Sequence, residues 1–189
     1  MTQPLLILIT GLPASGKTTL AKHIAAEFHF PLITKDGIKE LLFDQLGWKD
    51  RAWSRQLSSV TYALLFHFIE LQLSAGQPVI AESNFARTDE FLALKRRYAF
   101  EIFQIKCFAD GLTLFQRFKE RAEAGIRHPG HVDQQTYEEL KPLLLRGKDE
   151  PLNIGGTYYE IDTTDFLAID YKKLFAAIRA TSYFTIPGT

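Results

Sequence analysis

Leu5-Leu6-Ile7-Leu8-Ile9-Thr10-Gly11-Leu12-Pro13-Ala14-Ser15-Gly16-Lys17-Thr18-Thr19 is the stretch on which the reading of this chain turns. Its apolar half, Leu5 to Thr10, predicts a buried strand, and Leu20, Ile24 and Phe28 beyond it fall four apart and predict a helix with one sheet-facing stripe. Between them, Gly11 to Thr18 matches GxxxxGK[ST] in full, in the strand-to-helix context that the motif requires. Glycines let consecutive backbone amides turn inward around phosphate oxygens, and the helix that follows adds the positive end of its dipole. Gly11, Pro13, Ala14, Ser15, Gly16, Lys17, Thr18 and Thr19 are therefore the expected nucleotide-phosphate site. Lys17 is placed to reach the β and γ phosphates, and the Thr18 hydroxyl to ligand magnesium. The competing explanation, a glycine-rich turn that matches by chance, is disfavoured by the strand and helix on either side.

Outward from this loop, short apolar strands alternate with amphipathic helices, the pattern of a parallel sheet covered on both faces. Strands are expected at Pro31 to Thr34, Val79 to Glu82, Phe100 to Phe108 and Tyr158 to Thr163, making five with the first. Asp36 stands at a helix start, with Gly47 as its stop. A long helix from about Asp50 to Ala75 carries Trp53, Leu57, Val60, Leu64, Phe68 and Leu71 at intervals of three and four, a seam assigned mainly to the core. Further helices are expected from Thr88 to Tyr98, from Asp110 to Ala124, from Asp133 to just before Pro142, and around Tyr171, Leu174, Phe175 and Ile178. Thr181 to Thr189 reads as a loose tail. The expected architecture is one α/β domain over residues 1–189.

Composition narrows the function. Lys plus Arg and Asp plus Glu both total 22, so the net charge is zero, and an extended nucleic-acid track, which demands a cationic excess, is a poor ligand. The single cysteine, Cys107, has no partner for an internal disulfide, and its apolar flanks suggest a strand rather than a poised thiolate. Leu5 to Ile9 is too short to span a bilayer and has no basic leader, and no longer apolar segment follows. These features predict a soluble cytoplasmic protein that uses no membrane.

A phosphate loop is shared by GTPases, transporter ATPases and kinases. Leu73-Ser74-Ala75-Gly76-Gln77 resembles the LSGGQ signature of ABC transporter ATPases, but that signature opens a helix and here the sequence closes one before Pro78 and a strand. The guanine-reading NKxD of GTPases is missing late in the chain, and Thr34-Lys35-Asp36 is only a partial, early echo. His128 and His131, two residues apart around Pro129-Gly130 with no cysteine nearby, read as turn residues rather than a metal site.

Gly11 to Thr19, Thr34-Lys35-Asp36-Gly37-Ile38-Lys39, Glu82-Ser83-Asn84 and Arg117 to Arg121 together resemble the small P-loop kinases related to polynucleotide 5'-kinase, zeta toxins and chloramphenicol phosphotransferase. The resemblance runs through most of the chain in order. It implies a P-loop NTPase fold, ATP and magnesium, an acceptor-binding base at Asp36, an acceptor-holding cation at Lys39, and lid arginines at Arg117 and Arg121. It also places the adenine near Asp162 to Asp165.

The residues themselves support these roles to different degrees. Phosphoryl transfer consists largely of positioning and charge neutralisation, so it needs a metal, a lysine, cationic donors and an acceptor-orienting carboxylate. Asp36 follows a strand at the carboxyl edge of the sheet, where open α/β folds bind ligands; its alternative role is a helix cap worth about 1 kcal/mol. Arg117 and Arg121 share one helix face, with a solvated surface balanced by Glu120 and Glu123 as their alternative role. Arg127 lies in the glycine-containing Gly125 to His131 loop and is placed to swing inward, within an expected lid from about Arg117 to Arg146. Glu82 ends a strand, where it either holds magnesium, faces the acceptor or caps a turn. Asn84 and Arg87 are substrate candidates or turn residues, and Trp48, Lys49, Arg51 and Arg55 are acceptor candidates by position.

The expected activity is transfer of the γ-phosphoryl group of ATP to a hydroxyl of a small molecule or nucleotide. A polynucleotide 5' end remains an acceptor that zero net charge allows. An ATP-dependent switch read by a protein partner is the alternative from another class. No residue pattern names the acceptor.

Overall fold

The computed structural model describes residues 3–185. Five strands, β1 (Leu5–Thr10), β2 (Leu32–Thr34), β3 (Val79–Glu82), β4 (Glu101–Phe108) and β5 (Thr157–Asp162), form one parallel sheet in the order β2-β3-β1-β4-β5. The chain is thus α/β with the fold class expected from its sequence. β1 lies between β3 and β4 and is buried on both faces, which is why its residues run apolar without alternation.

Seven helices connect and cover the strands: α1 (Lys17–Phe28), α2 (Lys35–Leu46), α3 (Arg51–Ser74), α4 (Asp89–Arg97), α5 (Gly111–Glu123), α6 (Tyr137–Leu144) and α7 (Tyr171–Arg179). On one face Leu20, Ile24, Leu174 and Ile178 pack against Leu5, Ile7 and Ile9; on the other Leu65, Ile69 and Phe91 pack against Leu6 and Leu8. At about 25 cal/mol per Å² these two apolar layers are the main source of stability. They hold the carboxyl ends of β1, β2 and β3 side by side.

Three sequence expectations change here. The seam on α3 is not its buried face: Val60, Phe68 and Leu71 are exposed, while Ser54, Leu57, Thr61, Leu65, Ile69 and Leu73 face inward. Ser54 and Thr61 are polar yet satisfied, Ser54 by the Lys39 ammonium at 2.8 Å and Thr61 through the Leu57 carbonyl at 2.7 Å, so an apolar pattern misses the face they share. The helix expected from Asp133 is a 3-10 turn (Asp133–Gln135) followed by α6, with Pro142 inside it. Pro142 forfeits one helical bond, and α6 ends two residues later. Third, the tail is packed as far as it is described: Phe184 lies 5.4 Å from Phe28 and 6.0 Å from Phe30, and Ser182 donates to Glu101. Residues 186–189 of that tail lie outside the described residues, as do residues 1–2 of the 1–189 span. Among the described residues no helix is long and apolar enough to cross a membrane.

Candidate active site

The loop between β1 and α1 is shaped by three left-handed positions, Gly11 (φ 145°), Ala14 (φ 64°) and Gly16 (φ 75°). Gly11 is required by a close approach, since a Cβ there would stand 2.2 Å from the Cys107 carbonyl oxygen. Ala14 holds its conformation at a cost of about 1 kcal/mol, a strain that surrounding contacts must hold in place. One such contact is Thr163, fully buried just past β5, whose hydroxyl bonds the Ser15 carbonyl at 2.9 Å and the Phe108 carbonyl at 2.8 Å. Its signal in the sequence was only its place as the last residue of the expected fifth strand. Cys107 is buried in β4, and burial pushes its thiol up to about 12, so it is inert at neutral pH.

Lys17 and Thr18 begin α1 and so project from the loop toward its mouth. Lys17 Nζ donates to the Leu12 carbonyl at 2.8 Å; burial lowers its pKa, with Glu82 opposing. Thr18 Oγ1 donates to Glu82 Oε2 at 3.0 Å, bringing together two residues 64 apart in the chain. Burial raises the Glu82 pKa, while Lys17 lowers it. Two hard oxygen donors beside a phosphate loop suit a magnesium ion.

At the end of β2 the helix cap is Thr34, not Asp36: Thr34 Oγ1 accepts from the Gly37 amide at 3.1 Å. Asp36 sits in the first turn of α2 with its carboxylate free to face the cavity. There it forms an ion pair with Arg127 of the segment after α5. Burial pushes the Asp36 pKa up, but the charges of Arg127 first, then Lys35 and Lys17, outweigh it and hold this carboxyl well below the usual range. Arg127 also holds Asp133 through a fork at 3.1 and 2.9 Å, and Arg121 reaches the same carboxylate at 3.6 Å.

The expected lid is docked onto α2 by a ladder. Asp36, Glu40 and Asp44 stand one turn apart and meet Arg127, His131 (2.9 Å) and His128 (3.2 Å). His131 is held neutral, its pKa pushed down to about 3 by burial, with Arg127 next in weight, so its link to Glu40 is a hydrogen bond. His128 stacks on Phe43 at 5.1 Å, and Gly130 lets the turn approach, since a Cβ there would stand 2.7 Å from that ring. Both histidines are therefore docking residues.

A cavity of about 450 Å³ gathers most of the sequence candidates: Pro13, Ala14, Gly16, Lys17, Thr18 and Thr19 of the loop, though not Gly11 and Ser15, together with Asp36, Lys39, Glu82, Asn84, Arg117, Arg121 and Arg127. Arg51 and Arg55 line it too, each donating to Glu139 Oε1 at 3.0 Å. Arg87 is exposed and does not line this cavity, and neither do Trp48 and Lys49: Trp48 borders a second cavity behind the lid turn, and Lys49 lies over the Trp53 ring at 5.0 Å. Arg117 is turned away from Asp36. It donates to the carbonyls of Thr163 and Thr164, both at 2.9 Å, and lies 4.6 Å over the Phe166 ring. Sequence reasoning did not assign roles to Lys35, Ser58, Asp133 and Phe166, which also line the cavity. Lys35 was legible as part of Thr34-Lys35-Asp36, but Asp133 and Phe166 lie in turns with no pattern.

A sequence family described as AAA domain matches residues 6–144. The chain belongs to that family. A candidate kinase from Chloroflexus aurantiacus J-10-fl, solved as a crystal structure, is 37% identical to this chain, with a TM-score of 0.84 over 94% of this chain and 97% of its own. Two further kinases share the fold. A gluconokinase from Sinorhizobium meliloti 1021 is 15% identical, with a TM-score of 0.54 over 94% of this chain and 93% of its own. An APS kinase from Mycobacterium tuberculosis, solved with AMPPNP and APS, is 15% identical, with a TM-score of 0.54 over 95% of this chain and 100% of its own. No curated protein matches the sequence. The fold is therefore that of the small P-loop kinases.

Proposed function

We propose that this chain is an ATP-dependent phosphotransferase that moves the γ-phosphoryl group of ATP to a hydroxyl of a small molecule. The observation that carries the reading is the convergence of Lys17, Thr18, Glu82, Asp36, Arg121 and Arg127 on one cavity from five separate segments. A nucleotide-binding module would need the loop but no carboxylate aimed across from it. The similar candidate kinase, and the fold shared with kinases that act on small molecules, point the same way.

In this reading the loop amides and Lys17 cradle the β and γ phosphates, and Thr18 and Glu82 are the residues that would hold magnesium. A bound magnesium ion would neutralise charge that develops on the phosphate oxygens. Arg117, anchored on the β5 loop and Phe166, shapes the base end of the nucleotide site. Arg121 and Arg127 reach the transferred group from above, within the lid.

Asp36 orients the acceptor hydroxyl. While Arg127 is paired with it, this carboxylate is too acidic to take a proton. When the lid arginine turns to the γ phosphate, that restraint is released, and the Asp36 pKa rises as the hydroxyl arrives. The acceptor oxygen then bonds to phosphorus, the bond from phosphorus to the β,γ-bridging oxygen breaks, ADP leaves, and the hydroxyl proton passes to Asp36 and on to water. The test is ADP release across a library of alcohols, compared between wild type, Lys17→Ala and Asp36→Asn. Stimulation by no acceptor at all would remove the proposal.

A further inference from the structure

The charges lining the cavity do not balance. Eight lysines and arginines face three aspartates and glutamates, an excess of five positive charges. Bound nucleotide would engage those at the phosphate loop and on the lid. Outside the phosphate loop and the lid remain Lys35 and Lys39, one turn apart on α2, and Arg51 and Arg55, one turn apart on α3. Arg51 and Arg55 share a single Glu139 oxygen, so one carboxylate serves two guanidinium groups. Lys39 is 5% exposed, donates to the neutral Ser54 hydroxyl and lies over the Phe43 ring at 5.3 Å, and Lys35 lies over the Tyr62 ring at 5.4 Å. Neither lysine has an ion-pair partner within 4.0 Å among the described residues. A buried ammonium without a counter-charge is costly, and a ligand anion is what would offset it. Four cations set against Glu139 and Asp36 leave about two positive charges unmatched.

Resting on the phosphotransfer reading, we propose that the acceptor is an alcohol that already carries a phosphate monoester, held by Lys35, Lys39, Arg51 and Arg55 while Asp36 holds the hydroxyl. A phosphomonoester brings about two negative charges at neutral pH and three strong acceptor oxygens, which matches both the surplus and the donors. A carboxylate brings one charge and two oxygens and leaves a cation unmatched. The cavity, about 450 Å³, must also take the terminal phosphates of the nucleotide, so the acceptor is of the size of a sugar or short polyol phosphate.

The test is calorimetric titration of the protein loaded with magnesium and AMPPNP. Probes are glycerol against glycerol 3-phosphate, ribose against ribose 5-phosphate, the carboxylates glycerate and gluconate, and inorganic phosphate. The expected result is that a phosphorylated probe binds at least tenfold more tightly than its neutral partner. Arg55→Gln and Lys39→Gln should each lose most of that preference. Arg55 has a side chain 64% exposed, so its variant keeps the fold, and a melting curve checks this. The proposal is overturned if neutral probes or carboxylates bind as tightly as phosphates, if both variants keep the preference, or if neither inorganic phosphate nor any phosphorylated probe binds. ADP release measured on the same panel with ATP separates the two readings. Phosphorylated probes that bind without release would sink phosphotransfer and leave the anion site, whereas a neutral alcohol that drives release would do the reverse.

Discussion

Arg127, in the lid turn after α5, is ion-paired with Asp36 in the first turn of α2, across 91 residues of sequence. The proposed acceptor-orienting carboxylate and a proposed phosphate-neutralising arginine thus occupy one another until substrates separate them. Asp36→Asn should leave nucleotide affinity within a fewfold of wild type and lower acceptor-stimulated ADP release about a hundredfold to ten-thousandfold. Arg127→Ala should lower release about a thousandfold. If the two groups act on one transition state, the double variant loses much less than the product of the single losses, and full additivity would contradict that coupling.

Glu82 is predicted to serve magnesium through its contact with Thr18. Glu82→Gln and Thr18→Ala should each raise the magnesium concentration needed for half-maximal activity, and EDTA should abolish wild-type activity reversibly. Because burial raises the Glu82 pKa, this carboxylate takes its proton at a higher pH than an ordinary glutamate. Magnesium dependence should therefore steepen on acidification in the wild type, and Glu82→Gln should flatten it. Unchanged magnesium titrations in both variants would assign the metal elsewhere.

Gly16 joins the phosphate loop to Phe166, at the proposed base end of the site. A Cβ there would meet the Phe166 ring at 2.4 Å, and φ is 75°, so Gly16→Ala pays about 1 kcal/mol in backbone strain and must also displace Phe166. Nucleotide affinity should fall at least tenfold, read by titration with AMPPNP. Phe166→Ala combined with Gly16→Ala should recover part of the loss only if the ring clash dominates over the backbone.

Gly130 provides the equivalent test for the lid. Gly130→Ala would drive a Cβ to 2.7 Å from the Phe43 ring, loosening a turn otherwise held by His128 on Asp44 and His131 on Glu40. The expected outcome is faster proteolysis within residues 125–135 and a raised KM for the acceptor, with the melting temperature little changed. Equal proteolysis rates would show that the ladder of ion pairs and hydrogen bonds docks the lid without this close approach.

Lys39 sets a pH limit. Its pKa is pushed down to about 8, first by burial and then by Lys35, Arg127 and Arg51, with Asp36 opposing. The ammonium is charged below about pH 8 and neutral above it, so binding of an anionic acceptor should weaken as pH rises through 8. Lys39→Gln should bind more weakly at pH 7 and lose that break. For stability the sign is opposite: the unfolded chain holds this proton up to the ordinary lysine value near 10.5, so the Lys39 contribution improves as pH rises between about 8 and 10.5.

The phosphate loop and strands β1, β3 and β4 were legible in the sequence because local constraints set them. A GxxxxGK[ST] loop needs glycine backbone at fixed offsets, and a strand buried on both faces runs mostly apolar, as β1 does, even though β4 also buries Gln104 and Lys106. Asp36 was legible by its place after β2, although its cap went to Thr34, two residues earlier and equally able to accept a hydrogen bond. The face of α3 was not legible. Ser54 and Thr61 face inward because Lys39 and a backbone carbonyl satisfy them, and hydrophobic periodicity counts such positions as surface.

What the sequence by itself determined is the nucleotide end: the loop, its lysine and threonine, and the parallel sheet that presents them. Only the tertiary structure decided what gathers at the proposed acceptor end. The pairing of Thr18 with Glu82, the Arg127 to Asp36 contact, the turning of Arg117 toward Thr163, and the cluster of Lys35, Lys39, Arg51 and Arg55 all join residues from different elements. The physical reason is range. Backbone conformation around a phosphate is encoded within a few neighbouring residues, whereas charge in a cavity is a sum over side chains that only packing brings together. Zero net charge over 189 residues therefore coexists with a cavity whose lining carries an excess of five positive charges.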